Sequence, residues 1–242
     1  MATKGSNESV DAIMKELKSL GSEQIKKIFV NHGAREPLFG VKVEHLQKIR
    51  KRIKTDYQLA LDLYATGNSD AMYLAGLIAD DPKMTRKDLD RWAEQASAPV
   101  HCGFTVAWVA AGSPVGWDAA LAWIDSPKEH IASAGWSALS SIVAIKPDAE
   151  LDLAALKRLL ARVKKTIHQA PNRARSAMNS FVIAVGSYVA PLTELAVKTG
   201  EEIGKVEVDV GDTSCKIPFA PDYIQKVKDR GSIGKKRKSA KC

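Results

Sequence analysis

The fold class is indicated most directly by one stretch of sequence, Ile131-Ala-Ser-Ala-Gly-Trp-Ser-Ala-Leu-Ser-Ser-Ile-Val-Ala-Ile145. Its large apolar residues recur three or four positions apart, which is the spacing of one buried face of an α-helix. The positions between them are mostly alanine, serine and glycine, and such small side chains let neighbouring helices approach closely. The stretch therefore predicts a buried helix in a stacked helical layer.

Segments of the same kind extend in both directions from this stretch. Helical spacing also governs most of the first ninety residues, and alanine-rich helical segments are expected at 99–111, 115–124, 153–167, 173–185 and 192–203. Short turns join them, so successive helices would form pairs of roughly forty residues, the length of HEAT or armadillo units. The fold class is predicted to be all-α, a HEAT-like α-solenoid over residues 1–203, with a globular helical bundle as the alternative.

The C-terminal part departs from this pattern. Lys205-Val-Glu-Val-Asp-Val210 alternates apolar and polar residues, and Gly211-Asp212 can form a turn, which predicts a small β-hairpin over 204–217. A short helix is expected from 221 to about 228, so 204–230 is treated as one C-terminal unit. Residues 231–242 form a basic tail that is predicted to be disordered in isolation.

Composition excludes several classes of protein. The chain has 242 residues, of which 45% are hydrophobic, but no apolar run approaches the ~18 residues of a membrane-spanning helix. The N-terminus lacks the pattern of a secretory signal, so a cytoplasmic location is expected. The protein is also expected to be a monomer without membrane contact. The three cysteines and five histidines lack metal-ligand spacing, and no cofactor-binding motif occurs, so neither a metal nor a cofactor is predicted.

Positive charge is concentrated in three places. The formal net charge is +8, and residues 226–242 contribute +7 of it. Residues 35–54 carry +5 and residues 157–175 carry +7, so the remainder of the chain is acidic at −11. Seven bases without an acid over 157–175 indicate an anionic partner more strongly than an ordinary mixed-charge helix surface does.

These patterns give two sets of candidate site residues. Phosphate contacts are predicted for the basic residues of the first two segments: Lys42, Arg50, Lys51, Arg162, Lys164, Lys165, His168, Arg173 and Arg175. Aromatic and polar residues near them are predicted to line a groove: Trp92, His101, Trp136, Asn179 and Phe181. Packing in the core is the alternative for the aromatic residues, and a solvated helix face is the alternative for the first basic segment.

Several motifs in the first two thirds of the chain resemble one family. They are Phe39-Gly-Val-Lys-Val43 followed by Leu46 and Ile49, Ala60-Leu-Asp-Leu-Tyr64 ahead of Asp70-Ala-Met-Tyr-Leu-Ala75, Trp92, and Trp123 before Ser126-Pro-Lys-Glu-His130. From about residue 21 to 189 the chain is similar to the DNA alkylation repair proteins of the alkylpurine glycosylase D type. The resemblance implies a HEAT-like solenoid whose concave basic face holds duplex DNA.

The catalytic residues of that family are not matched here. Family glycosylases place an aspartate, preceded by a tryptophan, just after the helix that here contains Trp92, and this carboxylate stabilises cationic charge as the glycosidic bond breaks. The matching stretch, Ala96-Ser-Ala-Pro-Val-His101-Cys102, has no carboxylate. The groove arginine expected at 131–135 is absent too, so the chain resembles a divergent branch of the family.

Three hypotheses about function follow. The first is a DNA-binding solenoid that acts in the context of alkylation damage, with duplex DNA as its partner. An enzymatic version retains excision of 3-methyladenine or 7-methylguanine, since these cationic bases leave readily. The alternative is a non-catalytic helical-repeat scaffold that binds an acidic protein partner through the same basic groove.

Overall fold

The computed structural model describes residues 8–96 and 98–241, and this part of the chain is helical without any β-strand. A π-helical segment, His101–Val106, leads directly into the seventh helix. The α-helices are α1 Val10–Leu20, α2 Glu23–Asn31, α3 Val43–Ile53, α4 Tyr57–Ala65, α5 Ser69–Ile78, α6 Arg86–Gln95, α7 Ala107–Gly112, α8 Gly116–Trp123, α9 Glu129–Ile145, α10 Leu153–Thr166, α11 Asn172–Tyr188, α12 Thr193–Ile203 and α13 Ala220–Asp229.

The helices form two layers. In the inner layer, α3, α5, the π-helical segment with α7, α9, α11 and α13 pack against one another in chain order. In the outer layer, α4, α6, α8, α10 and α12 each pack on the inner helix that follows them in the chain. The predicted succession of helix pairs is therefore confirmed, and it is the arrangement of an α-solenoid.

Small residues let the two layers approach closely. A Cβ atom added at Gly135 in α9 would lie 2.8 Å from the backbone nitrogen of Ile124, at the end of α8. The pair α8 and α9 could not keep this spacing with any larger residue at this position. Helix α6 begins with the capping box that its sequence indicates, in which Thr85 and Asp88 bond each other's backbone N–H groups.

The Phe39-Gly-Val41 motif is a structural device that joins α5 to the N-terminal helices. The Asp70 carboxylate accepts hydrogen bonds from the backbone N–H groups of Phe39, Gly40 and Val41, at 2.6, 3.1 and 2.9 Å. Gly40 has a φ of +77°, and a Cβ there would lie 2.5 Å from backbone atoms of Ser22 and Lys26. Only glycine fits this position, and this requirement explains the motif.

The predicted β-hairpin is wrong. Within the described chain, residues 204–219 connect α12 to α13 without forming a strand. Their backbone groups bond to side chains of α11: Asn172 Nδ2 donates to the Asp209 carbonyl, Asn172 Oδ1 accepts from the Asp209 N–H, and Arg175 Nη1 donates to the Glu207 carbonyl. These partners on α11 replace the opposing strand of a hairpin.

The C-terminal residues also differ from the expected disordered tail. Residues 231–241, here called the C-terminal strap, run from α13 across the ends of the inner helices. The Gly234 N–H donates to the Ser187 carbonyl in α11, and the Arg237 N–H donates to the Ala144 carbonyl in α9. Positive charge suits this location, because helix C-termini carry partial negative charge.

Among the described residues, no single helix is both long and apolar enough to cross a bilayer, and only α11 together with Ala190–Ile203 meets such a criterion, as a pair bent by 116°.

Candidate nucleic-acid interface

A cleft of about 1010 Å³ opens on the inner layer between the π-helical segment and the C-terminal strap. Its floor comes from α9 and α11, which present a row of hydroxyl groups: Ser133, Ser137, Ser140, Ser141, Ser176, Ser180 and Ser187. Serines three or four residues apart occupy one face of a helix, so two parallel helices make a polar floor. Hydroxyl groups of this kind are common partners of nucleic-acid phosphates.

The charged side chains around the cleft are mostly basic. Arg173 contributes from the first turn of α11, Arg230 from the end of α13, and Lys235, Lys236 and Arg237 from the strap. Asp209 is the one carboxylate among the residues that line the cleft in the described chain. Five basic groups around one acid produce the positive potential that phosphates require.

The strap is held in place by two lysines. Lys236 Nζ lies 2.7 Å from a carboxylate oxygen of Asp148 and donates to the Val143 carbonyl. Lys241 Nζ lies 2.7 Å from Asp81 Oδ1 and donates to the Ala79 carbonyl at the end of α5. With these two side chains fixed, the exposed Lys235 and Arg237 are displayed at the cleft.

Burial dominates the electrostatics of the Lys241 and Asp81 pair. It raises the pKa of Asp81 to about 6, although Lys241 opposes the shift. Burial also lowers the pKa of Lys241, and Asp81 opposes that shift. The side chains are only 9% and 16% exposed, so each charge depends on the other for compensation.

The three predicted phosphate contacts on α10 belong instead to the outer layer. Arg162 donates to the Ile124 carbonyl and lies 2.7 Å from Asp125, with its guanidinium 5.7 Å from the ring centre of Trp136. Lys164 lies 2.6 Å from Glu202 of α12. Neither residue lines the cleft, nor does the exposed Lys165 of the same helix. Asp125, just after α8, and Glu202 of α12 thus pair with two of the bases that the sequence leaves unbalanced.

The other predicted basic residues divide between structural and surface positions. His168 Nε2 bonds the Ile203 carbonyl, and Arg175 donates to the Ala170 and Glu207 carbonyls, so both fasten chain connections. Lys42, Arg50 and Lys51 lie on or next to α3 and do not line the cleft. Of the nine predicted phosphate contacts, Arg173 is the one that the structure places in the cleft.

The predicted groove-lining aromatic residues lie in the core, so that prediction is wrong for them. Trp92 is fully buried and stacks on Tyr64 with ring centres 4.0 Å apart. Trp136 and Phe181 are also buried and contact each other, with ring centres 5.3 Å apart. The space between the two layers accommodates these large rings, and their burial stabilises the fold more than exposure would.

The two predicted polar groove residues are buried as well. Asn179 donates from Nδ2 to the Pro218 carbonyl and so fixes the end of the 204–219 connection. His101 lies 1% exposed with its Nε2 3.0 Å from the Ser69 hydroxyl. Burial lowers the pKa of His101 to about 4, so its ring is neutral at physiological pH.

A second, mostly apolar pocket of about 540 Å³ adjoins the cleft at its N-terminal end. His32, Pro99 and Phe104 line both spaces, so the two are adjacent. The remaining wall is formed by Ile28, Phe29, Ala34, Val41, Val43, Leu46, Ser69, Asp70, Tyr73 and Val100. Asp70 is engaged by the Phe39-Gly-Val41 backbone, which leaves the pocket wall largely apolar.

Sequence reasoning missed the serine floor, the strap and Phe104. A signal for the floor was present, since Ser133, Ser137 and Ser141 recur every four residues within an otherwise apolar helix. The strap had no comparable signal, because its contacts join residues far apart in the chain.

The two cysteines of the described chain differ in their surroundings, since Cys215 is exposed and lines the cleft, whereas Cys102 is buried and does not line it. Burial raises the pKa of the Cys102 thiol to about 12, and this thiol bonds the Ala96 carbonyl, so it is not a reactive thiolate. Within residues 8–96 and 98–241, no group of three or more histidine, cysteine or acidic side chains could hold a metal ion.

Comparison with known proteins agrees with this geometry. The family model described as DNA alkylation repair enzyme matches residues 13–209. The uncharacterized proteins Lin0241 of Listeria innocua serovar 6a and Lmo0209 of Listeria monocytogenes serovar 1/2a are each 34% identical over 226 residues, which is 91% of this chain and 97% of theirs. One solved structure is 40% identical and superposes with a TM-score of 0.90, covering 97% of this chain and all of its own. That structure is described as a new family of proteins related to the HEAT-like repeat DNA glycosylases with affinity for branched DNA structures.

Proposed function

Because the chain belongs to the DNA alkylation repair enzyme family, we propose that it binds branched DNA in the serine-floored cleft of its inner layer. The affinity described for the similar solved structure supports branched DNA as the ligand. The observation that carries the proposal is the charge of the cleft, where Arg173, Arg230, Lys235 and Arg237 line the wall together with Lys236, which pairs with Asp148, and with one carboxylate, Asp209. Phosphates satisfy those charges and release counterions when they bind.

Each part of the cleft has a distinct task in this proposal. The exposed Arg173, in α11, and Arg237, in the strap, contact phosphates and position the DNA. Hydroxyl groups on the floor donate hydrogen bonds to phosphate oxygens of the same backbone. The cleft thus recognises the shape and charge of the DNA, and its affinity for DNA should depend strongly on the salt concentration.

Binding without base excision is the chemistry that the cleft supports best. Excision by this family's route needs a carboxylate beside the breaking glycosidic bond. Asp209, the acid that lines the cleft among the described residues, accepts from the Gly211 N–H at Oδ1, and its backbone is tied to Asn172. A carboxylate fixed within the wall-forming connection is poorly suited to follow a reacting sugar.

The experiment compares two double charge reversals in the full chain. Arg173→Glu with Arg237→Glu alters the cleft, while Lys164→Glu with Lys165→Glu makes the same charge change on α10. Binding of a labelled four-way DNA junction is measured between about 50 and 200 mM salt. We expect the cleft variant to bind about a hundredfold more weakly, with a salt slope lower by about 2, since each phosphate contact contributes about 0.9.

The α10 variant is the matched control and should bind within about threefold of the parent protein. Circular dichroism spectra check that both variants stay folded, as is expected because all four side chains are exposed. Equal losses in the two variants would contradict the cleft assignment. An acidic helical peptide that displaced the junction at physiological salt would favour the protein-scaffold alternative instead.

A further inference from the structure

Exposed apolar side chains are concentrated at the pocket next to the cleft. Six large hydrophobic side chains in the described chain are markedly exposed, and three of them, Ile28, Val43 and Phe104, line this pocket. Keeping apolar surface in water is unfavourable, and clusters of it commonly mark binding sites. A pocket of about 540 Å³ also falls in the range that holds small aromatic ligands.

Phe104 is held outward by the π-helical segment. On either side of it, His101 bonds Ser69 and Thr105 packs so tightly on α5 that a Cβ at Gly76 would lie 2.6 Å from it. Between these fixed points the Phe104 side chain is 48% exposed. Single turns of π-helix occur frequently at functional sites, because they reorient a side chain that a regular helix would bury.

Other aromatic rings support Phe104 from behind. Its ring centre lies 5.5 Å from that of the buried Trp108, and Trp108 in turn contacts Tyr73 edge to face at 5.4 Å. Trp108 also lines the cleft, and Tyr73 lines the pocket. The cluster is therefore a fixed aromatic surface at the boundary between the two spaces.

We infer that this pocket accepts an unstacked nucleobase from a DNA branch point held in the cleft, with Phe104 as the stacking ring. The inference rests on the proposed function. The adjacency of the two spaces supports it, since Phe104, His32 and Pro99 line both of them and Arg173 approaches Gly33 beside them. A branch point exposes bases that have lost a stacking neighbour, whereas continuous duplex does not. Every base has a π face, so such stacking tolerates any sequence.

The test uses the full chain and a three-way DNA junction with 2-aminopurine at an unpaired position of the branch. Stacking quenches 2-aminopurine, so the parent protein should lower its fluorescence. Phe104→Ala should abolish the quenching and weaken junction binding about tenfold, while affinity for matched duplex stays the same. Phe104→Trp should restore both. Tyr223→Ala is the matched control, because Tyr223 is exposed to a similar extent and lines the cleft but not the pocket.

Two results would overturn the inference. One of them leaves the proposed DNA binding in the cleft intact, and the other contradicts that proposal as well. If Phe104→Ala binds and quenches like the parent protein, the pocket does not hold a base, yet the cleft proposal survives. If neither junction nor duplex binds to the parent protein, the proposed function fails and this inference fails with it. Thermal unfolding of each variant shows whether a loss arises from misfolding, and Phe104→Trp separates loss of the ring from loss of the fold.

Discussion

Helix α10 and the C-terminal strap are both strongly basic, yet they use their charge differently. On α10, Arg162 and Lys164 pair with acids of neighbouring outer helices at the surface. On the strap, Lys236 and Lys241 reach between the ends of inner helices, and Lys235 and Arg237 remain at the cleft. Both segments thus use part of their charge to pair within the fold, and the strap in addition places exposed bases at the cleft.

Removing the innermost lysine of the strap should have the largest effect on stability. Lys241→Met leaves Asp81 buried without its partner, which should lower the free energy of unfolding by about 3 kcal/mol or more. Lys164→Met on α10 removes a pair whose side chains are 44% and 39% exposed, and should cost less than about 1 kcal/mol. Urea unfolding of both variants measures the difference.

The double variant Lys241→Met with Asp81→Asn controls for side-chain packing. It should regain most of the lost stability, because no uncompensated charge remains. Equal costs for the two single lysine substitutions would show that the strap is no more tightly held than the surface of α10.

The pH dependence of stability should show the next largest difference between the strap and α10. Asp81 has a pKa of about 6 in the folded protein against 3.8 in the unfolded chain, because burial disfavours its charge. Its stabilising contribution is therefore complete below about pH 4 and is lost as pH rises through 6, a change of about 3 kcal/mol. The free energy of unfolding of the parent protein minus that of Asp81→Asn should fall by this amount.

Taking the difference removes a competing group from this measurement. His101, whose pKa burial lowers to about 4, gives a pH dependence of opposite sign over the same range, but it is present in both proteins. A difference that does not vary between pH 4 and 7 would mean that Asp81 titrates as an exposed carboxylate.

The helical architecture could be predicted because it is local. Apolar spacing and capping act over a few residues, so the pattern in 131–145 is enough to place α9. In the same way, Thr85 and Asp88 indicate the capping box at the start of α6. The resemblance carried by Phe39-Gly-Val41 was also correct, although the residues that make it serve the fold through Asp70.

The site was less predictable because it depends on contacts between distant residues. A sequence shows how many charges a segment has, but whether Lys164 meets an acid depends on the neighbouring helix that carries Glu202. Trp92 and Trp136 beside polar residues suggested a groove, whereas the gap between layers buried them. The strap reaches Asp81 across 160 residues, a distance that no spacing rule covers.

The smallest effect is expected at the connection 204–219, because it is held to the inner helices less tightly than the strap is. Asn172 holds it by two exposed hydrogen bonds with the Asp209 backbone, at 2.7 and 2.8 Å, with no buried charge involved. Asn172→Ala should therefore cost only about 1 kcal/mol. Hydrogen exchange of the Asp209 amide should become faster, while the Arg237 amide in the strap keeps its protection. Alternating residues form a strand only when another strand is available to pair with them. If the freed connection gained protection instead, its own hairpin would be the preferred state, and α11 would be holding it open.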